Sequence, residues 1–182
     1  TLPLALSSIV MGIIVSKIHG LLDWRIGFMA IVTTLFLQIL SNLANDYGDG
    51  IKGTDNRSRL GPERTIQSGK ITPKQMKLAI FVFSALSFIS GVYLIILSEI
   101  TLFQFAIFLS IGILAILSAI YYTVGKRSYG YYGLGDLFVF LFFGLIAVLG
   151  TFFLNTKYLS IDALLPALTV GFLSTAVLNL NN

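Results

Sequence analysis

The sequence has no cysteine and one histidine, His19. A disulfide-stapled secreted scaffold is excluded, and the lack of thiols carries no information about redox compartment. Zinc is disfavoured as well, because its protein sites draw mainly on Cys and His. Charge is scarce: Asp, Glu, Lys and Arg make up 11% of the 182 residues, against about 25% in a soluble domain. No G-x-x-x-x-G-K-[ST] run is present, so there is no nucleotide P-loop. A β-barrel alternation is missing too, because the apolar runs are continuous.

What the chain has is hydrophobic residues, 56% of the total. Charge-free runs cover 1–16, 26–45, 78–98, 100–125, 137–156 and 163–182. A membrane-spanning helix needs about 20 mostly apolar residues. Six such runs exclude a soluble enzyme and a disordered tail. They predict an all-α integral membrane protein with one domain over 1–182 and spans at about 1–16, 26–45, 76–98, 101–122, 137–155 and 162–180. The first run has no basic n-region and no small-residue cleavage site, so it reads as a span, not a cleaved signal. The chain opens on Thr1 and not Met, and its natural start is expected upstream.

Basic residues orient the spans. With the N-terminus cytoplasmic, Lys52, Arg57, Arg59, Arg64, Lys70, Lys74, Lys77, Lys126 and Arg127 fall inside, and Lys17, Arg25 and Lys157 outside. That asymmetry satisfies the positive-inside rule in this orientation and violates it in the other. The net charge of +4 therefore describes loops beside a membrane, and no nucleic-acid partner is read from it. Local signals agree. Gly20 interrupts the first turn, and Gly48, Gly50 and Gly53 are expected to end helix two. Thr72-Pro73-Lys74-Gln75 reads as an N-cap, a first-position proline and a capping-box glutamine opening helix three. Ser98 and Glu99 make a tight outer turn, and Gly125, Gly130, Gly133 and Gly135 fill the second inner loop.

Helix two carries the chemistry. Thr34, Gln38, Asn42, Asn45, Asp46 and Asp49 are spaced 4, 4, 3, 1 and 3, which makes one polar stripe at 100° per residue. Polar groups in a bilayer face the bundle interior or a wet cavity, and function is their default reading. The stripe becomes acidic at the helix C-terminus, where the dipole already disfavours negative charge. Asp46 and Asp49, with Asp55 soon after, make a poor arrangement unless a cation sits among them. The plainer reading is a solvated loop with aspartates as turn residues. An EF-hand is excluded, because position twelve counted from Asp46 is Arg57. A few carboxylates with an Asn amide suit Mg²⁺, which keeps several waters and accepts phosphate oxygens for the rest. Arg57, Arg59, Arg64 and Lys70 follow, and guanidiniums that fork onto phosphate complete a diphosphate site. Positive-inside anchoring is the competing reading of these arginines.

The second inner loop, YYTVGKRSYGYYGLGD over 121–136, holds five of the eight tyrosines. Tyr122 and Lys126 are one helical turn apart, so phenol and ammonium reach a single anion. Tyr121, Tyr129, Tyr131 and Tyr132 read equally well as an interfacial aromatic belt, and Asp136 as a helix N-cap. His19 and Trp24 in the outer loop are structural. Asn42-Leu43-Ala44-Asn45 at the end of helix two is echoed by Asn179-Leu180-Asn181-Asn182 at the end of helix six.

These stretches carry a family resemblance. NDYGDGIKGTD from Asn45 to Asp55, then RSRLGPER from Arg57 to Arg64, resembles the first aspartate motif of the UbiA superfamily of intramembrane prenyltransferases, most closely its 1,4-dihydroxy-2-naphthoate branch. The 121–136 loop, running on into VFLFFG, is similar to the same branch's second loop and includes the Tyr-x-x-x-Lys pair as Tyr122 and Lys126. The TLP start is similar to the opening of helix one, without its preceding Arg-Pro. The third aspartate falls at Asp55, the naphthoate-branch pattern, where the wider superfamily places it at the position of Gly53.

The resemblance covers essentially the whole chain and implies a nine-helix bundle. The chain would be its N-terminal six helices, cut after the Asn181-Asn182 pair and before a second aspartate motif. It implies Mg²⁺ held by Asn45, Asp46, Asp49 and Asp55, with Asn42 and Asn182 also at the site. Arg57, Arg59, Arg64 and Lys126 would bind diphosphate, and Asp46, Asp49, Lys126 and Tyr122 would carry catalysis. The implied reaction moves a polyprenyl group from polyprenyl diphosphate to 1,4-dihydroxy-2-naphthoate, releasing diphosphate and CO₂ and giving demethylmenaquinol. The implied setting is lipid of a bacterial inner or plasma membrane, with active-site loops cytoplasmic. Residues 1–182 alone are expected to be inactive. Two rivals stand beside it: a UbiA-type enzyme with another aromatic acceptor, such as 4-hydroxybenzoate, homogentisate or haem, and a transporter whose polar stripe binds ions or substrate.

Overall fold

The computed structural model describes residues 2–52, 71–126 and 128–181. Among them the regular structure is helical. Six helices follow one another: α1 (Leu2–Ile18), α2 (Trp24–Lys52), α3 (Pro73–Leu97), α4 (Leu102–Tyr121), α5 (Gly135–Thr156) and α6 (Ile161–Asn181). Five are long and apolar enough to cross a membrane, and α1 is shorter at 17 residues. The described residues are thus helical, with one helix on each charge-free run, and the chain is an integral membrane protein.

Local chemistry sets several boundaries. Thr72 caps α3: its Oγ1 accepts from the Gln75 N–H at 3.3 Å, while Gln75 Oε1 accepts from the Thr72 N–H at 2.9 Å. Thr101 and Gln104 repeat this capping box at α4. Asp23 caps α2, its Oδ1 accepting from the Arg25 N–H at 2.8 Å. Gly20 at φ +71 and Glu99 at φ +48 make the left-handed corners of the α1–α2 and α3–α4 turns.

Helix two differs from its expected form. It runs through Gly48 and Gly50 to Lys52, 29 residues in all. At 1.5 Å per residue that is about 43 Å, longer than the roughly 30 Å hydrocarbon layer. Its acidic end therefore continues as helix instead of dissolving into a loop. Gly48 stays helical because of what it touches. A Cβ there would lie 2.7 Å from the Thr123 backbone and side chain, so the glycine is kept for close approach and not for a break.

Helix five is α-helical over Gly135–Val139, π-helical over Phe140–Leu149 and α-helical again over Gly150–Thr156. Wide π turns cluster at functional sites. The π stretch packs on α6, where Gly144 and Gly171 face each other so closely that a Cβ on Gly144 would come within 2.6 Å of the Gly171 Cα. Small residues at such crossings are the usual membrane solution.

The interior is small and the outside is greasy. Ile9, Ile26, Ala30, Leu94 and Leu154 join α1, α2, α3 and α5 in one cluster, while Val15, Phe152 and Ala163 join α1, α5 and α6 in another. Helix four has no buried residue, and Phe81, Phe88, Leu102, Phe103 and Leu114 are exposed on α3 and α4. Apolar side chains facing outward are what a lipid solvent permits.

Cross-links define two ends of the bundle. At one end the Asp23 N–H donates to Asn155 Oδ1 at 3.0 Å, and His19 contacts the Tyr158 hydroxyl at 2.8 Å and Asp162 at 3.3 Å. His19 thereby ties the end of α1 to the α5–α6 turn and the start of α6. The C-terminal ends of α2, α4 and α6 and the start of α5 meet at the other end, where the polar residues gather.

Candidate functional site

The polar stripe on α2 is continuous in three dimensions. Gln38, 5% exposed, donates from its amide to Asn42 Oδ1 at 3.3 Å. Thr123, just past α4, donates from Oγ1 to the Ala44 carbonyl at 3.0 Å and lies 3.2 Å from Asn45 Oδ1. The Gly48 notch admits Thr123 to this position. The Tyr131 hydroxyl donates to Asp49 Oδ1, and the Lys52 ammonium donates to Ser128 Oγ while lying 4.2 Å from the Tyr131 ring centroid. The α4–α5 loop is therefore laid over the acidic end of α2.

Glycines shape the loop around Tyr122. A Cβ on Gly130 would fall 2.6 Å from the Tyr122 carbonyl oxygen, and one on Gly135 would fall 2.9 Å from its hydroxyl. The phenol thus reaches the first turn of α5. The Tyr129 ring sits edge-on to Tyr122 and stacks on Phe138 at 4.2 Å between centroids. The Tyr129 hydroxyl donates to the Ser118 carbonyl at 2.8 Å, and burial pushes its phenol well above the usual range. Asp136 lies in the first turn of α5 and accepts from the Asn179 amide of α6 at 3.2 Å. The asparagine echo is joined to the rest of the site through this contact.

A cavity of about 320 Å³ opens from this end into the bundle. Gln38, Asn42, Asn45, Tyr122 and Tyr129 are among its polar lining residues. Phe108, Phe138, Phe142, Phe143, Ile146 and Leu154 line its apolar part, with several of these on the π segment of α5. The arrangement suits an amphiphile with a polar head at the α2 stripe and a hydrocarbon tail along α5.

The sequence-derived candidates divide as follows. Asn42, Asn45 and Tyr122 line the cavity. Asp46 and Asp49 are half-buried on the same helix, beyond the cavity lining. Lys126 is exposed in the turn after α4. The helical-turn argument linking it to Tyr122 fails, because α4 ends at Tyr121 and Gly125 takes φ +104 between them. Asp55, Arg57, Arg59, Arg64 and Asn182 lie outside the described residues. The sequence missed Thr123, Ser128 and Tyr131 as partners of α2. The signal was the tyrosine density of the 121–136 loop, which also fitted an interfacial belt.

Asp46 and Asp49 are three residues apart on α2, with the Asn45 amide beside them. Hard oxygen donors of this kind fit Mg²⁺, which takes one or two carboxylates and keeps waters or phosphate oxygens as its other ligands. Among the described residues no three His, Cys, Asp or Glu side chains converge on one point, as a closed protein cage would require.

Comparison with known proteins bears on this site. The model of the UbiA prenyltransferase family matches residues 5–182. The chain is 46% identical over 182 residues to 1,4-dihydroxy-2-naphthoate octaprenyltransferase of Escherichia coli (strain K12), covering 100% of this chain and 59% of that protein. It is 38% identical over 185 residues to the protein of the same name from Mycobacterium tuberculosis, covering 100% of this chain and 60% of that one. UbiA prenyltransferase domain-containing protein 1 of Homo sapiens is 28% identical over 165 residues, 90% of this chain and 47% of that protein. The chain spans about three fifths of the length of the bacterial relatives it matches. No solved structure matches.

Proposed function

The chain belongs to the UbiA prenyltransferase family, and on that premise we propose that it transfers a polyprenyl group from polyprenyl diphosphate to 1,4-dihydroxy-2-naphthoate. The products are demethylmenaquinol, diphosphate and CO₂, in a bacterial inner or plasma membrane with the α2 C-terminal end cytoplasmic. One observation carries the reading: a single cavity is lined both by the Gln38–Asn42–Asn45 stripe and by the phenylalanines of α5, the mixed lining an amphiphilic prenyl diphosphate calls for. The bacterial relatives named for this acceptor favour naphthoate over 4-hydroxybenzoate or homogentisate.

Asn45, Asp46 and Asp49, with Asp55, would hold Mg²⁺. When bound, the cation neutralises charge on the leaving diphosphate. Arg57, Arg59, Arg64 and Lys126 grip the same diphosphate with charge-assisted hydrogen bonds. Tyr122 offers a phenol to a departing oxygen, since proton donors aimed at developing negative charge lower the barrier. Cleavage of the C–O bond leaves an allylic, cation-like prenyl group. The faces of Phe138, Phe142 and Tyr129 favour that positive charge, and the apolar walls keep water from quenching it. The electron-rich naphthoate ring attacks the allylic carbon, and its carboxylate leaves as CO₂.

The test is product analysis. The full-length protein in lipid nanodiscs receives Mg²⁺, octaprenyl diphosphate and one acceptor at a time. Prenylated naphthoquinol with matching diphosphate release is expected. Prenylated 4-hydroxybenzoate or homogentisate instead overturns the acceptor assignment. Absence of diphosphate release with every acceptor overturns prenyl transfer and returns the polar stripe to a transport role.

A further inference from the structure

The tyrosine of the α4–α5 loop that touches Asp49 is not explained by an interfacial belt. Asp49 lies in the last turn of α2, where the helix dipole opposes a carboxylate. Tyr131 reaches it from a segment 82 residues away in sequence and donates its hydroxyl to Oδ1. The ring that delivers this hydroxyl is itself held. Lys52, three residues beyond Asp49 on α2, lies over its face at 4.2 Å and donates to Ser128 Oγ. The Tyr131 N–H bonds the Ser128 carbonyl at 3.4 Å, closing the short 3₁₀ turn Tyr129–Tyr132. Gly133 at φ +75 ends that turn in a conformation open to glycine. Two backbone segments therefore fix one phenol against one oxygen of one carboxylate.

We propose that Tyr131 is a positioning residue for the Asp49 carboxylate: its hydroxyl takes Oδ1 and orients the group toward a divalent cation, with Lys52 and Ser128 holding Tyr131 in place. The proposal rests on the reading of Asp46 and Asp49 as Mg²⁺ ligands. Its logic is that of any ligating group whose second atom is hydrogen-bonded. The outer partner sets the orientation of the ligand, and losing that partner typically weakens metal binding by about 10–100-fold. Tyr131 acts through Asp49 and needs no contact with prenyl donor or aromatic acceptor.

The experiment measures Mn²⁺ binding by electron paramagnetic resonance to the full-length protein in nanodiscs, with no substrate present. Tyr131→Phe keeps the ring under Lys52 and removes the hydroxyl alone. It is expected to weaken Mn²⁺ binding about 10-fold. On top of Asp49→Asn the same change is expected to add less than about two-fold, because residues acting as a unit are non-additive. In prenyl-transfer assays the Tyr131→Phe defect is expected to shrink as Mg²⁺ rises, with the acceptor KM unmoved. Unchanged Mn²⁺ binding in Tyr131→Phe overturns the proposal, as does a full 10-fold loss added to Asp49→Asn. An unmodified protein that binds no Mn²⁺ overturns the metal reading and this inference together. Mn²⁺ binding that depends on Tyr131 in a protein that releases no diphosphate overturns prenyl transfer and leaves the positioning role standing.

Discussion

Gly48→Ala sets two physical effects against each other. Helix propensity favours the alanine by about 1 kcal/mol in a helix interior. Sterics oppose it, because the new Cβ would lie 2.7 Å from the carbonyl carbon, oxygen and Cβ of Thr123. Ordinary contact begins near 3.4 Å, so the α4–α5 loop must retreat by about 0.7 Å from backbone that is not flexible. Overpacking of that kind costs about 1–3 kcal/mol. The retreat also stretches the Thr123 hydroxyl's contacts to Ala44 and Asn45, now 3.0 and 3.2 Å, which share one proton and together contribute about 1 kcal/mol. Sterics win, and the net loss is about 2 kcal/mol. For a domain of this size that lowers Tm by about 4–8 °C. Gly112 on α4 is the control: a Cβ there meets nothing within 4 Å, so Gly112→Ala is expected to hold or raise Tm through propensity alone. The assay is a thermal melt of both variants of the full-length protein in detergent. Equal or higher Tm for Gly48→Ala would show that the loop does not bear on α2 as described.

Three further outcomes are expected. Asp46→Ala and Asp49→Ala each abolish prenyl transfer while the protein still inserts in the membrane, and near-normal turnover of both at saturating Mg²⁺ sinks the metal assignment. Lys126→Ala and Arg64→Ala raise the donor KM more than the acceptor KM, since a charge-assisted phosphate contact is worth about 1.5–3 kcal/mol; an effect confined to the acceptor puts Lys126 in the other subsite. Asp23→Ala removes the α2 cap and costs about 1 kcal/mol at neutral pH. The Arg25 hydrogen bond holds the Asp23 carboxyl at about 2, below its ordinary 3.8. That part of its contribution is present above 3.8 and fades as pH falls toward 2, so the Tm gap between variant and parent narrows over this window; a gap that stays constant contradicts it.

Spans were readable because a lipid solvent leaves one strong signal, the absence of charge over about 20 residues. The Thr72–Gln75 box was readable because capping chemistry is local. Gly48 was not, because a glycine that ends a helix and one that admits a neighbour look alike until Thr123 is beside it. The link between Tyr122 and Lys126 failed for the reverse reason. Periodicity was extended past the point where Gly125 turns the chain. The α2 stripe followed from spacing alone. Its closure by Tyr131 and Ser128 did not, since those contacts span 82 and 76 residues of sequence and have no periodic signature.

The central claim is that the donor lies with its head at Asn42 and Asn45 and its tail along the π segment of α5. Photo-crosslinking tests it most directly. An octaprenyl diphosphate analogue with a photoreactive group in the first isoprene unit is bound to the full-length protein, irradiated, and mapped by peptide mass spectrometry. Labels on Phe138, Phe142, Phe143 or Ile146, competed away by unlabelled donor, are the result the account predicts. Labels confined to the outward faces of α3 and α4, at residues such as Phe81 or Phe103, would contradict it.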